Sequence, residues 1–311
     1  MLSRLIFWPW FAGLMTLVGA LFAARKSFSA AEGLEKVIEF GPIFFAAPLA
    51  QLFDLSLLSQ QPSVANPRPP HSLDNYLKIF SDPFYLQITA NSLLIGFSTT
   101  IATLAISYPV AYYITKISGW ERTLISVACL LPIFVNVIVS ILGWYILLLP
   151  YGVIQQILYS LGLVTGSLQL LRTMPALVAV LTYEHIPFAV LILVSSLQAI
   201  PQDKINAARL LGAGVPRIVF TMILPLTMPG LVASAILVFA LSASSYLTPV
   251  LIGAQRIKVL PLQIFSYGTE LLNWPLAAAL AFAMLILVVA ITYGFASVMN
   301  RVSRRGQWEI V

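Results

Sequence analysis

Residues 201–225 read PQDKINAARLLGAGVPRIVFTMILP, and they interrupt a chain that is otherwise dominated by apolar stretches. Pro201 suits a first helical turn, because proline lacks the amide proton that such a position leaves unpaired. Ile205, Ala208, Leu211 and Gly212 recur at three- and four-residue spacing, which predicts that they share one helix face. Gln202, Asn206 and Arg209 form a polar stripe on another face. Gly212-Ala213-Gly214 followed by Val215-Pro216 should end the helix. A second short turn then leads to Leu224-Pro225 and the next apolar run. Ala207, Ala208 and Gly212 are small enough to let another protein approach the backbone closely, which suits a docking element.

The chain has 311 residues, of which 59% are hydrophobic and 9% charged, with a mean hydropathy of +0.93. A soluble domain carries about 25% charged residues. The composition therefore implies an all-α integral membrane protein that crosses the bilayer several times. The formal charge of +6 does not point to nucleic acid, because in such a chain the basic residues set topology. Cys129 is the one cysteine, so no intramolecular disulfide can form.

A spanning helix needs about 20 apolar residues to cross about 30 Å of hydrocarbon. Six spans are expected, at roughly 5–24, 91–114, 123–149, 174–197, 227–250 and 275–298. The first is too long for the apolar core of a signal peptide, about 7–15 residues, and reads as a retained span. Residues 38–58 are apolar but contain Glu39, Pro42, Pro48 and Asp54, which favours a re-entrant or interfacial segment over a further span. Arg4, Lys116, Arg122, Lys204, Arg209, Arg217, Arg301, Arg304 and Arg305 then fall in the N-terminus, the 115–122 and 198–226 loops and the C-terminal tail. These regions are expected on the cytoplasmic side, where basic residues concentrate; Arg25 and Lys26 run against that pattern. Trp8, Trp10, Trp120 and Trp274 lie near span ends and fit an interfacial belt. The organisation expected is a first span with a long external segment over 1–84, a transmembrane core over 85–300 and a short basic tail over 301–311. The prolines at 62, 67, 69 and 70 favour an extended, poorly packed stretch in the external segment.

The spacing of Ala207-Ala208, Gly212 and then Met222, Leu224 and Pro225 resembles the cytoplasmic "EAA" loop of the permease subunits of ABC importers. Asn206 stands where that family usually has Glu, and Met222 where it often has Ile. His71-Ser72-Leu73-Asp74-Asn75-Tyr76, Asp82-Pro83-Phe84, Tyr108-Pro109 and Ile186-Pro187-Phe188 follow in an order similar to the family's spermidine/putrescine-type branch, over roughly 71–300. The resemblance implies a MetI-like ABC permease fold in a bacterial inner membrane. It implies an ABC ATPase subunit, a periplasmic or lipid-anchored solute-binding protein and a second permease subunit as partners, besides membrane lipid. Asp203, Asn206, Ala207, Ala208, Arg209, Gly212, Leu224 and Pro225 would form the ATPase-coupling surface, and the solute could be a polyamine.

None of the six lysines follows a glycine, so the chain has no GxxxxGK[ST] loop to cradle nucleotide phosphates. If ATP drives transport, another chain must hydrolyse it. No cofactor is expected, and Glu184-His185 lacks a third ligand at a spacing that would hold a metal. Glu184 and His185 lie near the middle of the fourth span, beside Pro187. A carboxylate at that depth needs a partner: either a cationic solute in a cavity, or a hydrogen bond that fixes helix packing. Asn136, Ser140 and Trp144 on the third span, and Ser242, Ser244 and Ser245 on the fifth, could line the pathway or glue helices together. A self-sufficient carrier using Glu184 and His185 as a proton relay is the alternative function.

Overall fold

Backbone polar groups inside a bilayer must be satisfied within their own segment, and the described residues do this with helices. The computed structural model describes residues 46–62, 66, 69–162, 169–253 and 257–306. The chain divides into two units, Met1–Asp54 and Leu55–Val311. Of the first, residues 46–54 are described and are helical. The span expected at 5–24 and residues 38–45 lie outside the described residues.

The second unit contains α1 (Asp74–Ser81), α2 (Pro83–Lys116), α3 (Gly119–Phe134), α4 (Val137–Leu148), α5 (Val153–Ser160) and α6 (Met174–Gln198). It continues with α7 (Gln202–Leu210), α8 (Val215–Ile218), α9 (Leu224–Ala243), α10 (Leu247–Gly253), α11 (Leu260–Phe265) and α12 (Trp274–Gly306). Single π-helical turns at Val219–Ile223 and Ser266–Glu270 join α8 to α9 and follow α11. Among the described residues, five stretches are long and apolar enough to cross a membrane: Pro83–Lys116, Val137–Ser160, Met174–Gln198, Val215–Ala243 and Trp274–Ser297.

Two expected spans are broken. The one placed at 123–149 divides at Val135, whose backbone is extended, and Asn136, whose side chain accepts from the Ile138 amide at 2.9 Å to cap α4. The apolar stretch then turns again at 149–152, where Tyr151 has φ 70°, so α4 and α5 are separate helices. The span placed at 227–250 ends at Ala243, and Ser244–Tyr246 turn the chain into α10. The other boundaries follow local chemistry. Asp82 caps α2 by accepting from the Phe84 amide, with Pro83 as the first helical residue. Thr173 caps α6 in the same way. The last helix continues to Gly306, into the tail expected from residue 301.

The proline-rich external stretch is partly packed: Pro69 is buried, and Leu58 and His71 form an isolated antiparallel bridge. The Asn75 side-chain amide donates to the carbonyls of Ser56 and Leu58, and Ser56 Oγ lies 2.7 Å from the Tyr76 hydroxyl. The Ser-Leu-Asp-Asn-Tyr motif thus ties the strap at 56–58 to α1.

Helices α2, α6 and α9 pack against one another around the centre. At one end, Ala111, Leu193, Leu197, Ile200, Ile205, Ile218 and Ile223 form a buried cluster that includes the 198–226 loop. At the other end lie Tyr85, Ile88, Leu276 and Leu280 in one cluster, and Ile95, Leu177, Leu181 and Ile252 in another. The starts of α2, α6 and α12 therefore share the side opposite the loop. Small and polar residues let the central helices close up. Ser242 Oγ donates to Val238 O at 2.7 Å and reaches Gly96 O at 3.4 Å. Tyr108 OH and Thr227 Oγ1 lie 3.0 Å apart. Thr99, Thr103 and Ser107, four apart along α2, are fully buried.

A Cβ at Gly230 would overlap the Ser196 side chain, whereas nothing lies within 4 Å of one at Gly294. Gly230→Val should cost about 1–3 kcal/mol by overpacking and lower the thermal midpoint of the detergent-solubilised protein. Gly294→Val should leave it near wild type.

Candidate functional site

The 201–225 segment folds as a helix and a turn held at its ends. Pro201 serves as the N-cap, one position before the helical residue expected. Helix α7 is stopped by Gly212, just past the C-cap Leu211, at φ 80°, a conformation that costs a side chain but not glycine. The Gly212 amide donates to Arg209 O at 2.9 Å, and the Ala213 amide to Ala208 O at 3.1 Å. This pair of bonds is the Schellman arrangement, which satisfies carbonyls that a helix end leaves free. Pro225 cannot bond to the carbonyl four residues back, and its ring would crowd that group. The π-turn at Val219–Ile223 widens the helix there, and the Leu224 amide donates to Val219 O. The helix therefore runs unbroken through Leu224-Pro225 rather than turning before it.

Ile205 faces inward at 3% exposure, and Ala208 and Ala213 pack beside it. Leu211 does not share that face: Leu210 and Leu211 are each 89% exposed. Asp203, Asn206, Ala207, Arg209 and Gly212 are exposed on the same element, while Leu224 is half-buried and Pro225 exposed beyond the π-turn. The outer surface of α7 thus combines small residues, charge and two bare leucines. Periodicity misses the leucines, because the helix ends at residue 210 and the C-cap swings Leu211 off the inward face.

The second group of candidate residues lies inside the spans. Glu184 on α6 is half-buried, and Thr248 Oγ1 on α10 lies 3.2 Å from its Oε1 and 3.1 Å from its Oε2. Thr248 is 1% exposed. His185 does not pair with Glu184; its Nδ1 lies 2.5 Å from Leu181 O in its own helix. Tyr183, next to Glu184, meets Trp144 edge-on with ring centroids 5.4 Å apart. Asn136 is exposed at the break before α4 and caps that helix. Ser244 is also exposed and donates to Ala240 O at the end of α9. Neither forms a hydrogen bond to Glu184. Among the described residues, no three His, Cys, Asp or Glu side chains are grouped to hold a metal.

The model of the family described as "Binding-protein-dependent transport system inner membrane component" matches residues 101–305. This chain belongs to that family. It is similar to the spermidine/putrescine transport system permease protein PotB of Haemophilus influenzae, at 29% identity over 77% of this chain and 84% of that protein. PotB of Escherichia coli is also 29% identical, over 70% of this chain and 78% of its own length. The molybdenum transport system permease protein ModB of Azotobacter vinelandii is 28% identical over 61% of this chain and 85% of its own. In structure, the chain resembles one in a bacterial ABC transporter involved in import of the acidic polysaccharide alginate. The TM-score is 0.71 at 15% identity, covering 92% of this chain and 99% of that one. A MetNI methionine ABC transporter chain scores 0.56 at 20% identity, covering 71% of this chain and 99% of that one. The chain is thus an importer permease in the inner membrane, a transport component and not an enzyme. Membership in a binding-protein-dependent system sets aside the self-sufficient proton carrier.

Glu184 and Thr248 join α6 to α10 across 64 residues of sequence. Thr248→Val keeps the shape and removes the hydroxyl donor. Leaving a buried polar group unpaired should cost about 1–3 kcal/mol, read by thermal unfolding in detergent, and Thr248→Ser should recover most of it. Equal stability of the two variants would mean that the hydroxyl does not hold the carboxylate.

Proposed function

We propose that this permease imports a small organic cation of the polyamine class, and that Glu184 contacts it in the pathway. The observation that carries this reading is the carboxylate of Glu184, placed within a span and paired, among the described residues, with the neutral Thr248 hydroxyl alone. A half-buried carboxylate with no basic partner among the described residues is suited to receive a cation. The permeases named for spermidine and putrescine support the same class. Asn136 and Ser244, exposed at helix breaks, are the further pathway residues.

A solute-binding protein delivers the solute on the side opposite the 198–226 loop, and an ABC ATPase docks on α7. Leu210 and Leu211 enter an apolar groove on the ATPase, while Asp203, Asn206 and Arg209 contact its rim. Ala207, Ala208 and Gly212 allow close approach, and Leu224 and Pro225 begin the span that receives the movement. A second permease subunit, identical or paralogous, completes the pathway. Its contact surface is drawn from α3, which has no buried residue and exposes Trp120 and Phe134 at 73% and 85%. Closure of the ATPase pair on ATP moves the α7 helices together and turns the pathway from inward- to outward-open. The solute shifts this equilibrium only by its difference in affinity for the two states.

Two variants separate the parts of this proposal. Gly212→Trp, which places a bulky side chain at φ 80°, should leave the protein in the membrane but reduce the ATPase that co-purifies in mild detergent. Undiminished ATPase recovery with normal transport would refute docking on α7. Glu184→Gln should retain the ATPase yet lower cation uptake. A hydrogen bond to a charged group is worth about 1.5–3 kcal/mol, so the apparent KM for the polyamine should rise tenfold or more in proteoliposomes. Unchanged uptake would remove Glu184 from the pathway without touching the importer assignment.

A further inference from the structure

Helix α1 has three faces. Tyr76 and Ile79 turn inward, packed with Tyr85, Ile88, Leu276 and Leu280. Asp74, Lys78 and Ser81 are exposed on a polar face. Between them, at the i, i+4, i+7 spacing that aligns side chains on a helix, lie Leu73, Leu77 and Phe80, which are 62%, 63% and 68% exposed. In water, such a short helix would gain little by leaving three large apolar side chains bare.

The depth of α1 is set by what it packs on. Its inward residues meet the first turns of α2 and α12, the two spans that start opposite the 198–226 loop. Asp82 alone separates α1 from α2, and its side chain caps α2 while its amide donates to Lys78 O at 3.0 Å. The short link keeps α1 at the point where α2 enters the bilayer. Trp274 opens α12 at the same end and is 48% exposed, and tryptophan favours the headgroup level. Leu86, in the first turn of α2, is likewise bare at 50% exposure.

We infer that α1 lies in the outer bilayer interface, with Leu73, Leu77 and Phe80 set into the boundary between headgroups and acyl chains. Helices of this pattern rest in the interface plane with their apolar face buried. Asp74 and Lys78 balance one another on the polar face, so recognition is through the acyl boundary and does not require anionic lipid.

Spin labels test this, carried on single cysteines at 73, 77 and 80 or at 74 and 78 in a Cys129→Ser chain. The labelled permease is assembled with its partners in phosphatidylethanolamine vesicles containing a varied share of phosphatidylglycerol. Power saturation compares collisions with oxygen, which concentrates in lipid, against a water-soluble nickel chelate. Oxygen should dominate at 73, 77 and 80, and the chelate at 74 and 78, at every phosphatidylglycerol share. Chelate access at 77 and 80 equal to that at 78 would overturn the inference. So would exclusion of both reagents there, which would mark a protein partner as the occupant. If a cysteine prevents assembly, Phe80→Trp with brominated lipids gives the same reading, with quenching beyond the wild-type signal expected and none contradicting it.

Discussion

The contact on which the rest of the molecule depends is the seating of Ile205, Ile218 and Ile223 against Ala111, Leu193 and Leu197. These three isoleucines come from α7, α8 and the π-turn, and each is at most 3% exposed. Burying a side chain of this size is worth about 1.5–3 kcal/mol, enough to hold a short surface helix that could not persist alone. The loop is therefore fastened to the ends of α2 and α6, and it runs without a break into α9. A displacement of α7 would be carried to three central spans at once, because packed interiors transmit strain. The bare leucines of α7 point away from this contact, so one element has one face held by the permease and another left open.

The same logic explains the helix breaks. A continuous span presents only side chains to the interior, while a broken one also places cap residues and turn backbone there. Asn136 and Ser244 stand at such breaks, and Thr248 lies in the first turn of the helix that follows the second break. Glu184 reaches that helix from α6. Its carboxylate is held at the junction by a neutral donor, the Thr248 hydroxyl.

Much of the fold is legible in the sequence because spans announce themselves by length and hydropathy, and the loop by its change of composition. Gly212 shows its role for a local reason: only glycine takes its conformation without cost. The breaks at 135–136 and 244–246 do not show. No charged residue marks them, and the polar residues at each, Asn136 and Ser244, are equally at home as glue between intact helices. The exposure of Leu211 is hidden because a helical period was extended one residue past the end of the helix. The partner of Glu184 is illegible from spacing, since Thr248 is brought to it by tertiary packing. His185, adjacent in sequence, points to its own helix.

The central claim is that motion of α7 reaches the spans through the buried isoleucines. The most direct test is the number of solute molecules imported per ATP hydrolysed in proteoliposomes of the assembled complex, for wild type and Ile205→Ala. Truncating a buried isoleucine to alanine costs about 2–5 kcal/mol, here at the seat of α7 and away from its outer face. The account predicts an ATPase that remains bound and active while solute imported per ATP falls severalfold. A wild-type ratio with Ile205→Ala would contradict it, because the loop would then be driving the spans without the contact that joins them.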